Sequence, residues 1–255
     1  MKIGSAARSL AAPVALGIAV LALWQTWVVV FDVEPYLVPS PWGIAGRFAE
    51  SAGGILESSR ATGVNALIGL VAGAALGIMV ALFANSLRFF DQMLVPVVAA
   101  LAVIPIVALA PVFYSMFGAA EDTGRQMVAA VAVFVPMYVN TLHGLRQVDP
   151  VHRDLMQSYA ATAEQTNRML LIPNAIPYLL NGLKIGSSLA VISALIAEYF
   201  GGPTRGLGIG ITSSAAASNY TTAWAYVLGA VLLGALFYGL TAAIESFSLR
   251  HRGEK

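Results

Sequence analysis

The chain has 255 residues, 58% of them hydrophobic and only 11% charged, with a formal net charge of +1. A soluble domain carries about a quarter charged residues, so this composition excludes an ordinary water-soluble globule, and the near-neutral balance speaks against a nucleic-acid partner. The absence of cysteine removes disulfides, thiolate metal sites and cysteine nucleophiles together, and the three histidines (His143, His152, His251) are too few and too scattered for a metal site.

The apolar residues come in blocks of roughly 20, the length that crosses a bilayer as a helix. The expectation is an all-α membrane protein with about six transmembrane helices in a single domain over residues 1–255. A short basic start (Lys2, Arg8) precedes the first apolar run, 10–31. A cleaved signal peptide is the competing reading. The run exceeds the about 7–15 residues of such a segment and no small-x-small site closes it, which favours a retained span. Pro35, Pro39 and Pro41 forbid a continuous helix through the next segment. From Trp42 onward, Ile44, Phe48, Ile55 and Leu56 suit a short amphipathic helix at the membrane surface.

The second span is expected at 61–84, where Gly69, Gly73 and Gly77 lie four apart and leave one face as bare backbone for a neighbouring helix. The third, 93–117, is interrupted by Pro96, Pro105 and Pro111, which suits either a kinked packed helix or one lining a pathway. The polar loop GAAEDTGR, including Arg125, leads to the fourth span, 127–145. The fifth is expected at 178–200, followed by a Gly/Ser/Asn-rich loop over 201–222, and the sixth at 223–244.

Between spans four and five lies a polar island, 151–177, carrying Arg153, Asp154, Glu164 and Arg168. Val151, Leu155, Tyr159 and Ala163 recur every four residues, which puts them on one face of a helix; Pro173 and Pro177 punctuate the exit. Six spans place both termini on one side. Lys2, Arg8, Arg88, Arg146, Arg153, Arg168, Lys184, Arg250, Arg252 and Lys255 fall on that side, against Arg47, Arg60, Arg125 and Arg205 opposite. The imbalance puts the termini and the island in the cytoplasm.

The island resembles the cytoplasmic loop of importer-type ABC transporter permeases. In that loop a Glu-Ala-Ala start is followed by a Gly and, about a dozen residues later, by Leu-Pro. Here Asp154, Leu155 and Met156 stand at the Glu-Ala-Ala positions, Ala160 at the Gly, and Ile172-Pro173 at the Leu-Pro. YLVPSP (36–41), VIPIVALAPVFYSMFG (103–118) and IAEYFGGPTRGLG (196–208) are similar, in the same order, to stretches of the nitrate/sulfonate/taurine importer permeases.

The resemblance implies a cytoplasmic coupling helix between spans four and five. It would seat Arg153, Asp154, Leu155, Tyr159, Ala160 and Ala163, with Pro173 at the exit, against a cytosolic ATP-binding subunit. It also implies a second permease copy, an extracytoplasmic solute-binding protein, a bacterial plasma membrane location, and a small organic solute. Nitrate, taurine, alkanesulfonates and pyrimidine or flavin-type vitamin precursors are the solutes of such permeases. The chain has no Gly-x-x-x-x-Gly-Lys-Ser/Thr phosphate loop, so ATP is used by the partner, and this chain is expected to bind no cofactor or metal and to have no catalytic residue.

Tyr138 and Asn140 are candidates for the translocation pathway, against the alternative of packing or interhelical hydrogen bonding. Glu198 is a candidate gate or structural hydrogen-bond partner, against plain solvation at the interface. Lys184 reads as a snorkelling or loop-anchoring group. A secondary transporter or channel not driven by ATP is the rival function. It requires ionisable groups near mid-membrane, and the central parts of the six expected spans lack them.

Overall fold

A computed structural model describes the backbone at residues 3–201 and 205–251, with side chains at 11–201 and 205–248. Lys2, Arg252 and Lys255 of the charge comparison lie outside the described residues, as do the side chains of Arg8 and Arg250. Every regular element among the described residues is helical. Among the described residues five helical stretches are long and apolar enough to cross a membrane, or six if one bent pair counts as a span.

Helix α1 (Ile3–Val30) stands almost apart from the bundle, with 6% of its apolar window buried. It is tied near one end, where Trp24 meets Trp224 edge to face at 5.6 Å and Gln25 Oε1 accepts the Trp42 N–H at 3.1 Å. Ser40 then caps α2 (Pro41–Glu50) by accepting the Gly43 N–H at 3.1 Å, with Pro41 in the first turn where its missing N–H costs nothing. The surface helix is shorter than expected. Ile55 and Leu56 belong instead to α3 (Ala52–Ser86), which begins well before residue 61.

The core is a three-helix seam of α3, α6 (Thr123–Arg146) and α9 (Ile172–Ala197). A side chain on Gly69 or Gly73 would collide with Ala129 Cβ or the Ala130 carbonyl oxygen, and one on Gly77 would lie 2.8 Å from Met137 Cβ. The four-residue glycine spacing thus lets α6 approach α3 to backbone contact. The same device joins α6 to α9. A Cβ on Gly182 would lie 3.0 Å from Asn140 Cβ, and one on Gly144 would lie 2.8 Å from Tyr178 Cβ. Ala66, Leu70, Ala129, Val133, Met137, Ala190 and Ala194 fill the seam.

The expected third span is two helices, α4 (Arg88–Val103) and α5 (Ile106–Phe117), bent by 99°. The break is at Pro105. It carries no N–H and drives the residue before it out of the helical region, and Ile104 sits at ψ 125. Pro96 and Pro111 remain inside their helices. The Gly/Ser/Asn-rich stretch expected as a loop contains a helix, α10 (Leu207–Ala216), whose Leu207 is buried with Ile55 and Ala225. Helix α11 (Tyr220–His251) closes the chain against α9. There Lys184 is neither snorkelling nor anchoring a loop: its Nζ pairs with Glu245 at 2.6 Å, with a Ser187–Thr241 contact at 3.1 Å beside it.

Gly73→Ala is expected to cost about 1–3 kcal/mol through overpacking of the α3–α6 seam. Gly239→Ala, where an added Cβ meets nothing within 4 Å, should be neutral or slightly stabilising. Thermal melts of the two variants in one detergent check the contrast.

Candidate functional sites at the two ends of the bundle

The knob between α6 and α9 opens with Asp149, whose carboxylate accepts the Val151 N–H at 2.9 Å and caps α7 (Pro150–Ser158). No residue of α7 is buried. Arg153 and Asp154 are both exposed. Val151 and Leu155 share a face and are 69% and 50% exposed, and Tyr159 beyond them is 78% exposed.

The single helix expected through Ala163 does not form. Tyr159 ends α7, and Ala160 takes φ +51, a left-handed conformation that no α-helix continues through. Thr162 then starts α8 (Ala163–Thr166) with a reciprocal cap: its Oγ1 accepts the Gln165 N–H at 3.2 Å, and Gln165 Oε1 accepts the Thr162 N–H at 2.8 Å. Ala163 therefore lies on a different helix from Leu155. Ala160 is also the position matched to the loop glycine, and its positive φ gives the physical reason a glycine suits it.

Pro173 and Pro177 do not end the structure either. Helix continues from Ala163 through a wider turn at Asn167–Leu171 into α9, the Ile172 N–H reaching Asn167 O five residues back. Pro173 sits in the first turn of α9, just past that change of register. The base of the knob is closed by Asn174, whose Nδ2 donates to Gly144 O at 2.9 Å and to Gln147 O at 3.0 Å. Beside it Arg146 pairs with Asp91 of α4 at 3.0 Å. Asn174 had no signal in the sequence, because a polar residue near a span end is unremarkable without its partner.

Tyr138 and Asn140 face different neighbours. Tyr138 is buried against Ala81, Val98 and Phe134, stacking on the last at 6.0 Å. Asn140 donates to Pro136 O at 2.8 Å and accepts from Asn181 Nδ2 of α9 at 3.2 Å. Neither meets Glu198, which lies at the opposite end of the bundle from the knob.

Glu198 is not solvated. It is 2% exposed, and its carboxylate accepts from Thr62 Oγ1 and from the Gly208 N–H, both at 2.7 Å. Arg125 stands 3.7 Å away and is fully buried, not a loop cation as its polar surroundings suggested. Arg125 also donates to Arg205 O at 2.9 Å and pairs with Asp122 at 3.3 Å. Thr62 Oγ1 accepts the Leu207 N–H at 2.9 Å. The network extends through Asn65, which donates to Asp122 at 3.0 Å and accepts from Gln126 at 2.9 Å. Glu198 and Thr62 thus hold the first two amides of α10, and side chains on Gly206 or Gly208 would strike Glu198. Thr62, Asn65 and Asp122 were missed for want of any local motif.

Among the described residues no group of His, Cys, Asp or Glu is arranged to hold a metal ion. One end carries an exposed apolar knob and the other a buried polar clasp. The chain is similar to the riboflavin transport system permease protein RibX of Chloroflexus aurantiacus, 30% identical over 95% of this chain and 90% of the relative. It is 32% identical to the formylaminopyrimidine transport permease protein ThiX of Halalkalibacterium halodurans, over 69% of this chain and 70% of that one. The taurine transport system permease protein TauC of Escherichia coli is 26% identical over 76% and 72%. In fold it resembles a chain of the MetNI methionine ABC transporter in inward-facing conformations, with a TM-score of 0.60 at 20% identity, covering 76% of this chain and 94% of that one. The model of the binding-protein-dependent transport system inner membrane component matches residues 73–248, and with this order of helices and this knob the chain belongs to that family: it is a permease subunit of an ABC importer.

Proposed function

We propose that this chain forms the translocation pathway for a small organic solute and is driven by a cytosolic ATP-binding subunit docked on the knob. The observation that carries the docking is the exposure of Val151, Leu155, Tyr159 and Met169 on a capped, pinned element outside the apolar bundle. Apolar side chains exposed to water on an ordered element mark a surface for a partner. Arg153 and Asp154 sit beside them, where rim charges orient a partner more than they hold it.

Ala160 and Ala163 keep the path between the two short helices narrow, and Pro173 marks the return into α9. The chain itself binds no cofactor; ATP binds and is hydrolysed on the partner. Two permease copies with two ATP-binding subunits and a solute-binding protein make up the transporter, in the plasma membrane of a bacterium. Helices α1, α3, the α4–α5 pair, α6, the stretch from α8 through α9, and α11 serve as six spans of one domain. The excess of Lys and Arg assigned from the sequence to the knob side, over Arg47, Arg60, Arg125 and Arg205 opposite, supports a cytoplasmic knob and cytoplasmic termini. Glu198 acts from the outward end; Tyr138 packs against α3 and α4, and Asn140 bonds α6 to α9 beside the pathway. The two relatives at 30% identity or more are named for riboflavin and formylaminopyrimidine, which favours a heteroaromatic vitamin or precursor as the solute.

Tyr159→Ala is expected to leave membrane insertion intact while cutting uptake per ATP hydrolysed by about tenfold or more, the scale of a lost docking anchor of roughly 2 kcal/mol. Uptake of riboflavin and of formylaminopyrimidine into proteoliposomes, with hydrolysis measured in parallel, reads both quantities. Normal coupled uptake by this variant would remove the knob from the mechanism, and failure of any ATP-binding subunit to co-purify with the wild-type chain would remove the ATP-driven reading. At the turn, Ala160→Gly should preserve coupled uptake, since it relieves a left-handed alanine costing about 1 kcal/mol. Ala160→Val should abolish it, because a β-branched residue resists positive φ. Equal uptake by the two would separate the turn from coupling.

A further inference from the structure

We infer that Glu198 and Arg125 form the outer pin of a two-helix beam, α6 with α9, which carries displacement of the knob to α10 at the opposite end. This rests on the docking role of the knob proposed above. At the knob end Asn174 of α9 binds the Gly144 and Gln147 carbonyls that close α6. At the far end Arg125 of α6 faces Glu198, directly after α9, across 3.7 Å. Between the pins the helices meet at backbone distance: a Cβ on Gly182 would lie 3.2 Å from Pro136 O, and one on Gly186 would lie 3.1 Å from Val133 Cγ1. Two helices pinned at both ends and close-packed between them cannot slide or splay independently, because such packing does not deform continuously. The 26 residues of α9 make the beam about 39 Å long at 1.5 Å per residue.

The outer pin does more than join the two helices. The Glu198 carboxylate holds the Gly208 N–H, Thr62 of α3 holds the Leu207 N–H, and Arg125 holds Arg205 O. These are the backbone groups at the start of α10, so α10 is tied to the beam through Glu198 and Arg125, and to α3 through Thr62. Tyr114 of α5 is attached to the same end, its hydroxyl donating to Ala197 O at 3.0 Å. Glu198 is therefore a positioning residue that links the knob to the outward face. It meets the solute through neither the clasp nor its neighbours, since its carboxylate is enclosed by Thr62, Arg125 and Gly208.

The test is amide hydrogen exchange on the complete transporter in nanodiscs, with the ATP-binding subunit, before and after addition of Mg-AMP-PNP. In the wild type, exchange is expected to change both at 151–166 and at 207–216. In Glu198→Gln the change at 151–166 should persist while that at 207–216 falls at least about fivefold, the low end of a typical coupling factor. Glu198→Asp keeps the charge and withdraws the carboxylate from the Gly208 N–H; it should show the same loss, and it carries the test alone if Glu198→Gln does not assemble. A merely structural clasp predicts a wild-type-sized nucleotide response at 207–216 in either assembled variant, and that result overturns the inference. So does a wild type in which 151–166 responds and 207–216 does not. If 151–166 itself is silent to nucleotide in the wild type, the docking role of the knob has failed first, and the beam fails with it.

Discussion

In a bilayer two apolar helices gain nothing by hiding from water, because lipid is as apolar as they are. The α3–α6–α9 seam must therefore be held by close packing, and close packing needs small residues. Gly69, Gly73 and Gly77 on one side, and Gly144, Gly182 and Gly186 on the other, let three helices come to backbone contact around α6. That constraint shapes the rest. The seam is filled mainly by small and apolar side chains; between its ends the polar contacts are isolated pairs such as Asn140–Asn181, and the larger polar groupings lie at its two ends. The knob pin and the Arg125–Glu198 clasp sit where the seam stops.

The clasp follows the electrostatics of a water-poor site. A buried ion pair gives little net stability compared with well-packed apolar groups, but loss of one partner leaves a charge uncompensated at a cost of about 3–5 kcal/mol. Here both charged groups have several further partners. Glu198 has Thr62 and Gly208 as donors, and Arg125 has the Arg205 carbonyl and Asp122. Such a cluster fixes geometry more than it adds stability. What it fixes is the entry of α10, whose first amides are held by side chains while its Leu207 packs against Ile55 and Ala225.

Much of the fold was legible because it rests on block hydrophobicity and on the spacing of glycine, both local properties. The close α3 face could be read from three glycines four apart. The break at Pro105 was half legible: three prolines announced an interruption, but only the extended backbone at Ile104 says which one bends the chain. Arg125 and Glu198 were not legible as partners. They lie far apart in the sequence, and Arg125 closes a run of loop-like residues, so its charge suggested water when its surroundings in space are protein. Helix α10 was hidden for a related reason: its amides are capped by side chains from α3 and from the end of α9, not by a neighbour that sequence reading could find.

The knob shows how a spacing argument overreaches. Val151, Leu155, Tyr159 and Ala163 obey a helical period, yet the helix stops at Tyr159 because the next residue turns left-handed. Alanine in that conformation is more costly than glycine, so the turn is held by its surroundings rather than by Ala160 itself. The docking role proposed for the knob needs such restraint. Asn174 at its base and the Thr162–Gln165 cap at its second helix act in the same direction, each removing a freedom the loop would otherwise have. The exposed face of Val151, Leu155 and Tyr159 is thus presented by a short, capped bracket rather than by an open loop, and a bracket continuous with α9 is what the proposed docking role requires.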